Sequence, residues 1–129
     1  MNKITKIIAE EIKDSRGNPT IKVTVFSGDI SDSFSVPSGA STGVHEAHEL
    51  RDEDGKGVKN AISKINNVIA LALIGKDVLN QKEIDRIMLD LDNTPNKNNL
   101  GGNSIIGVSI ACAKVAARVS GVEVYEYLR

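Results

Sequence analysis

The sequence predicts an α+β fold, a three-stranded antiparallel β-meander followed by a helical bundle, and two observations carry that reading. Apolar residues recur with a period of two up to about residue 36, and with a period of 3.6 from residue 58 onward. Strands first and helices afterwards is the order of an α+β domain rather than of alternating strand–helix units. The 129 residues suffice for one domain with a real core and are too few for two ordinary ones, so one domain over residues 1–129 is expected.

The first strand is expected over residues 3–12, where Ile4, Ile7, Ala9 and Ile12 stand among charges. Asp14-Ser-Arg-Gly-Asn-Pro19 supplies a dense cluster of turn formers. Residues 20–26 then alternate, with Ile21, Val23 and Val25 facing one side and Thr20, Lys22 and Thr24 the other. Ser27-Gly28-Asp29 reads as a hairpin turn, after which Ile30, Phe34 and Val36 continue the period of two. Three strands joined by short turns make a meander with one buried face.

In the second half, Val58, Ala61, Ile62, Ile65, Val68, Ile69 and Ala72 mark one face of a helix that ends at Gly75. Asn80-Gln-Lys-Glu83 resembles a capping box and opens a second helix carrying Ile84, Ile87, Met88 and Leu91. Residues 92–101 form a polar loop. A third helix is expected over residues 103–120, ending before Gly121. Its many small residues (Ser104, Gly107, Ser109, Ala111, Ala113, Ala116, Ala117) and nearly all-round apolar surface predict burial on several sides. Residues 122–128 are expected to turn once more as helix.

Composition excludes several function classes. Lys plus Arg is 16 and Asp plus Glu is 17, a formal net charge of −1, so no basic patch points to nucleic acid. Two Phe, two Tyr and no Trp leave no stacking platform for bases. Cys112, the single cysteine, sits in an apolar run and reads as a buried structural thiol with no internal disulfide to make. Residues 68–74, the most apolar window, fall far short of the roughly 20 residues that cross a bilayer. No apolar stretch follows Met-Asn-Lys-Ile-Thr-Lys at the start, so no secretory signal is read and a cytoplasmic location is expected.

Residues 36–51, Val-Pro-Ser-Gly-Ala-Ser-Thr-Gly-Val-His-Glu-Ala-His-Glu-Leu-Arg, are the most informative stretch. Gly39 and Gly43 bracket small hydroxylated residues, which lets backbone approach a ligand closely. A connection of this length inside a small domain is more often functional than incidental. His45 and His48 stand one residue short of the zinc-binding His-Glu-x-x-His spacing and lack a third ligand, so loop histidines are the better reading. A phosphate loop would need Gly-Lys-Ser/Thr, whereas Val44 follows Gly43 and no hydroxyl residue follows Gly55-Lys-Gly57. The run Glu49-Leu-Arg-Asp-Glu-Asp54 reads as a solvated charged turn. Taken by themselves, these residues show no complete catalytic set.

Five segments, in order, resemble the enolase family. Glu11-Ile-Lys-Asp-Ser-Arg-Gly-Asn-Pro-Thr20 resembles its opening signature, and Val36-Pro-Ser-Gly-Ala-Ser-Thr-Gly-Val-His-Glu46 followed by Glu49-Leu-Arg-Asp52 its first active-site loop. Gly55-Lys-Gly-Val58, Leu91-Asp-Asn-Thr94 with Asn96-Lys97, and Leu100-Gly-Gly-Asn-Ser-Ile-Ile-Gly-Val-Ser109 complete the set. The ending Val-Tyr-Glu-Tyr-Leu resembles the end of the family's amino-terminal domain.

The resemblance implies reversible dehydration of 2-phosphoglycerate to phosphoenolpyruvate, with Mg²⁺. In enolases a lysine takes the proton beside the carboxylate, two metal ions stabilise the enediolate and a glutamate assists departure of the hydroxide. Those groups belong to a barrel domain of roughly 250 residues, and the sequence stops at Arg129, so no catalytic residue is expected in this chain. What the resemblance assigns here is the loop of Ser38, Gly39, Ala40, Ser41, Thr42 and Gly43. Ser41 matches the serine whose oxygens complete the second magnesium site on closure, a role that suits a hard cation.

The expectation that follows is the amino-terminal part of an enolase working with a barrel domain on a separate chain, in an oligomer. A freestanding binding or regulatory module, or a fragment of the longer protein, is the alternative. Four departures accompany the match. Lys22 stands where enolases usually carry a glutamate used in dimer contacts, and the segment between Asp52 and Gly55 is short. Asn93 replaces a glycine and Gly102 an alanine.

Overall fold

The β-meander and the helices both form, and turn chemistry explains the first hairpin. In the computed structural model, which describes residues 2–37, 57–93 and 100–127, β1 (Lys6–Lys13) and β2 (Pro19–Ser27) pair antiparallel in the register Ile7↔Val25 to Lys13↔Pro19. Between them the Asp14 carboxylate accepts from the backbone N–H groups of Arg16 (2.9 Å) and Asn18 (2.8 Å), while Gly17 adopts φ +82°. Glycine enters that region with the least strain. β3 (Ile30–Ser35) pairs with β2 antiparallel, so the sheet order is β1-β2-β3.

One face of the sheet carries Ile7, Ala9, Ile21, Val23 and Val25 into the core, as the alternation predicts. Helix α4 (Gly102–Ser120) lies across that face. Its small residues let the backbones come close: a Cβ on Gly107 would stand 3.0 Å from both Val23 Cγ2 and Val36 Cγ2. Twelve of its residues are buried, so it is the central element rather than a surface helix. Helix α3 (Gln81–Asp92) opens with Asn80 accepting from the Glu83 N–H at 3.3 Å, the expected cap. α5 (Val124–Tyr127) follows Gly121, and the Tyr127 hydroxyl donates to the Leu79 carbonyl at 2.9 Å.

The predicted first helix departs from a simple rod. It runs as α1 (Lys59–Lys64), a π-helical turn (Ile65–Ile69) and α2 (Ala70–Leu73). The wider turn rotates the following residues. Ala61, Ile65, Ile69, Ala70 and Leu73 are buried, Ile62 and Val68 pack partly against the core, and Leu71 is 74 % exposed. Inside the π-helical turn, Asn66 grips edge strand β1: its carbonyl oxygen accepts from the Ala9 N–H (2.9 Å) and its amide donates to the Ala9 carbonyl (3.3 Å). That amide does for the edge what a neighbouring strand would do.

The first strand also starts later than the sequence indicates. Lys3 forms an isolated bridge with Asp77, the Gly75 N–H donates to the Ile4 carbonyl and the Val78 N–H to the Asn2 carbonyl, so residues 2–4 pair with the segment after α2 before β1 begins.

Candidate functional site

The residues carrying the sequence-based site, Ser38, Gly39, Ala40, Ser41, Thr42 and Gly43, lie outside the described residues, as do His45, His48, the 49–54 run, Asn96 and Lys97. What the structure does place is the chain on either side of them. On the incoming side, Val36 follows the last residue of β3 and is 2 % exposed. Its N–H donates to the Ile21 carbonyl at 2.9 Å, and its carbonyl accepts from the Thr20 hydroxyl. On the outgoing side, Val58 is fully buried and its carbonyl accepts from the Ile62 N–H as α1 begins.

Helix α4 braces both sides. Gly107 meets the Val36 side chain, and the Ser104 hydroxyl, wholly buried, reaches the Ala61 carbonyl at 3.4 Å. The motif Leu100-Gly-Gly-Asn-Ser-Ile-Ile-Gly-Val-Ser109 is therefore largely the packed spine of the domain, with Asn103 and Ser104 buried at its start. Next to it, the buried Asp92 carboxylate accepts from the Leu100 N–H at 2.7 Å and fixes the ends of the connection between α3 and α4. The polar-loop reading of residue 92 is corrected: this Asp ends a helix and is buried against a backbone donor. Asn93 adopts φ +55° as the C-cap of α3, the left-handed position where Gly and Asn are favoured.

Thr20 is the second correction. The alternation puts it on the face with Lys22 and Thr24, yet it is 3 % exposed, because the backbone at Val36 covers its hydroxyl. No period in the sequence signals this; only the path of the chain leaving β3 does. Lys22 stands opposite Glu10 in the β1–β2 register, an opposite-charge cross-strand pairing of a kind that is mildly stabilising.

Burial, and secondarily the charge of Asp85, push the Cys112 thiol from its ordinary 9.0 up to about 12, which keeps it protonated and inert. Burial also raises the Tyr127 phenol, with Asp77 and Cys112 adding to it. Among the described residues no group of three or more His, Cys, Asp or Glu side chains is placed to hold a metal ion. A broad depression of about 380 Å³, lined by Ile30, Arg118, Gly121, Val122, Glu123 and Glu126, sits at the far end of α4 from Val36. Among the described residues lining it there is no Ser, Thr, Cys, Lys or His side chain. Among the described residues no helix is long and apolar enough to cross a membrane.

Comparison with known proteins supplies what the described geometry lacks. The family described as "Enolase, N-terminal domain" matches residues 4–128. The chain belongs to the enolase amino-terminal domain family. It is similar to enolases of Thermococcus kodakarensis (53 % identity over 129 residues), Thermococcus gammatolerans (51 % over 129) and Methanosarcina acetivorans (55 % over 130). In each case the match covers 97 % of this chain and 30 % of the relative, so the chain spans about a third of the length of these enolases. Its three-stranded antiparallel sheet followed by helices is consistent with the enolase amino-terminal domain.

Proposed function

We propose that this domain serves as the amino-terminal part of an enolase, converting 2-phosphoglycerate reversibly to phosphoenolpyruvate in the cytoplasm with a barrel domain on a separate chain. The observation that carries this reading is identity above half with enolases over nearly the whole chain. No proton-transfer residue is assigned here; those groups belong to the barrel.

The contribution of this chain is the segment of residues 38–43, with Ser41 offering oxygen ligands to Mg²⁺. When bound, the metal would supply charge stabilisation to the reacting substrate. Oxygen donors from a serine suit that ion, which commonly combines few protein ligands with substrate phosphate. The domain's own task is to present the segment and exclude water around the reacting atoms. Val36 and Val58, both buried, anchor the described chain before and after it. Oligomer formation is part of the proposal, with Lys22 in place of the usual glutamate altering the contact between copies.

The test is complementation. The purified chain alone has no dehydratase activity, and mixing it with the barrel domain of a similar enolase and Mg²⁺ restores turnover. Ser41→Ala in the mixture lowers kcat by at least about tenfold, in line with the loss of one group that stabilises the transition state. Turnover by the chain alone would refute the division of labour. A barrel that binds without any turnover points instead to a non-catalytic module.

A further inference from the structure

We propose that Asp32 and Lys114 form a latch over the free edge of β3, and that the edge beneath is a docking surface for β3 of a second copy of this chain. The register fixes which groups that edge presents. The Val36 N–H donates to the Ile21 carbonyl, so Phe34 and Asp32, two and four residues back, also turn their backbone groups toward β2. Ser31, Ser33 and Ser35 therefore turn theirs outward. Side chains take both outward groups of Ser33. Its N–H donates to Asp32 Oδ1 at 2.8 Å, and its carbonyl accepts from Lys114 Nζ at 2.7 Å. Lys114 Nζ also stands 3.5 Å from Asp32 Oδ1, which joins the two side chains into one unit. The outward backbone groups of Ser31 and Ser35 have no hydrogen-bond partner among the described residues.

A second β3 fits this edge because the strand is self-complementary. Antiparallel pairing about a two-fold axis at Ser33 sets Ser33 opposite Ser33 and Ser31 opposite Ser35, so each outward group meets its counterpart. Asp32 then faces Phe34 and Ile30 faces Val36, so no like charges stand directly opposite each other. Beside the edge lies a hollow of about 170 Å³ lined by Asp32, Lys114, Ala117, Arg118, Val122 and Glu123, so α4 does not roof the edge over. The latch occupies the centre of the axis. It leaves one pair of open groups at Ser31 and another at Ser35, and neither alone makes a ladder. With the Lys114 and Asp32 side chains 31 % and 26 % exposed, the latch opens without disturbing the core. The contact is separate from any through Lys22, which stands on the central strand.

Lys114→Met removes the donor and keeps the apolar stem, whereas Asp32→Ala opens the latch from the strand side. Each is expected to self-associate at least about tenfold more tightly than the parent in sedimentation equilibrium, toward twice the chain mass of 13.8 kDa. Lys114→Arg keeps a donor and stays at the parent level. Ser35→Pro added to either opening variant removes an outward N–H without touching the β2–β3 ladder, and returns association to the parent level. Amide hydrogen exchange on the parent supplies a readout that needs no variant. The Ser33 N–H is protected at least about tenfold more than those of Ser31 and Ser35. Equal protection at the three serines would show that the latch does not hold the edge and overturn the proposal. So would opening variants that stay folded and associate no more than the parent, or association that Ser35→Pro leaves intact.

Discussion

At Gly107 helix α4 and the sheet approach closely, and its lack of a side chain is a packing requirement. Alanine would gain about 1 kcal/mol in helix propensity. Its Cβ would also press on two valine methyls at 3.0 Å, and overpacking of that kind costs about 1–3 kcal/mol. Because Val23 and Val36 are both buried and neither is the far end of a flexible chain, the second effect is expected to win. Gly107→Ala should lower stability by about 1 kcal/mol in urea unfolding, and Gly107→Val by more. Residue-level readings from sequence succeed where local chemistry decides, as at Asn80 and at Cys112 within an apolar run. They fail at Thr20 and Asp92, whose partners Val36 and Leu100 are 16 and 8 positions away.

At the scale of elements, the periodic pattern of residues 58–72 announces a helix but not its π-helical turn. That turn serves the packing: it sets Ile65 and Ile69 into the core and turns Asn66 toward the edge of β1. Asn66→Ala removes both hydrogen bonds to Ala9 and leaves that backbone pair to water, for a cost of about 1–2 kcal/mol. Amide exchange at Ala9 is expected to rise with it, whereas amides of β2 on the far side stay protected. Asn66→Asp keeps the acceptor and loses the donor, so its effect should be intermediate. An unchanged Ala9 amide in Asn66→Ala would mean the edge is held by other contacts. At the opposite edge, Lys114 donates to the Ser33 carbonyl at 2.7 Å and lies 3.5 Å from Asp32, so a charged side chain of α4 guards β3.

For the whole molecule, the central position of α4 makes Cys112 a reporter of global unfolding. Its pKa in the folded domain, about 12, lies above its ordinary 9.0, so the folded state binds the proton more tightly. The corresponding stabilisation is complete below pH 9 and is lost as pH rises toward 12, at up to about 1.4 kcal/mol per pH unit. Urea midpoints measured between pH 8 and pH 11 should fall more steeply for the parent than for Cys112→Ala; parallel curves would show that the thiol is not buried as described. The α+β order, the tight Asp14–Gly17 turn, the Asn80 cap and the buried α4 were all legible in the sequence. Each depends on residues within a turn or two of one another. Tertiary structure alone decided the placement of Thr20, the grip of Asn66 on Ala9 and the π-helical turn that contains Asn66. Those depend on backbone brought together from up to 57 positions apart, and no local period encodes where a distant carbonyl will lie.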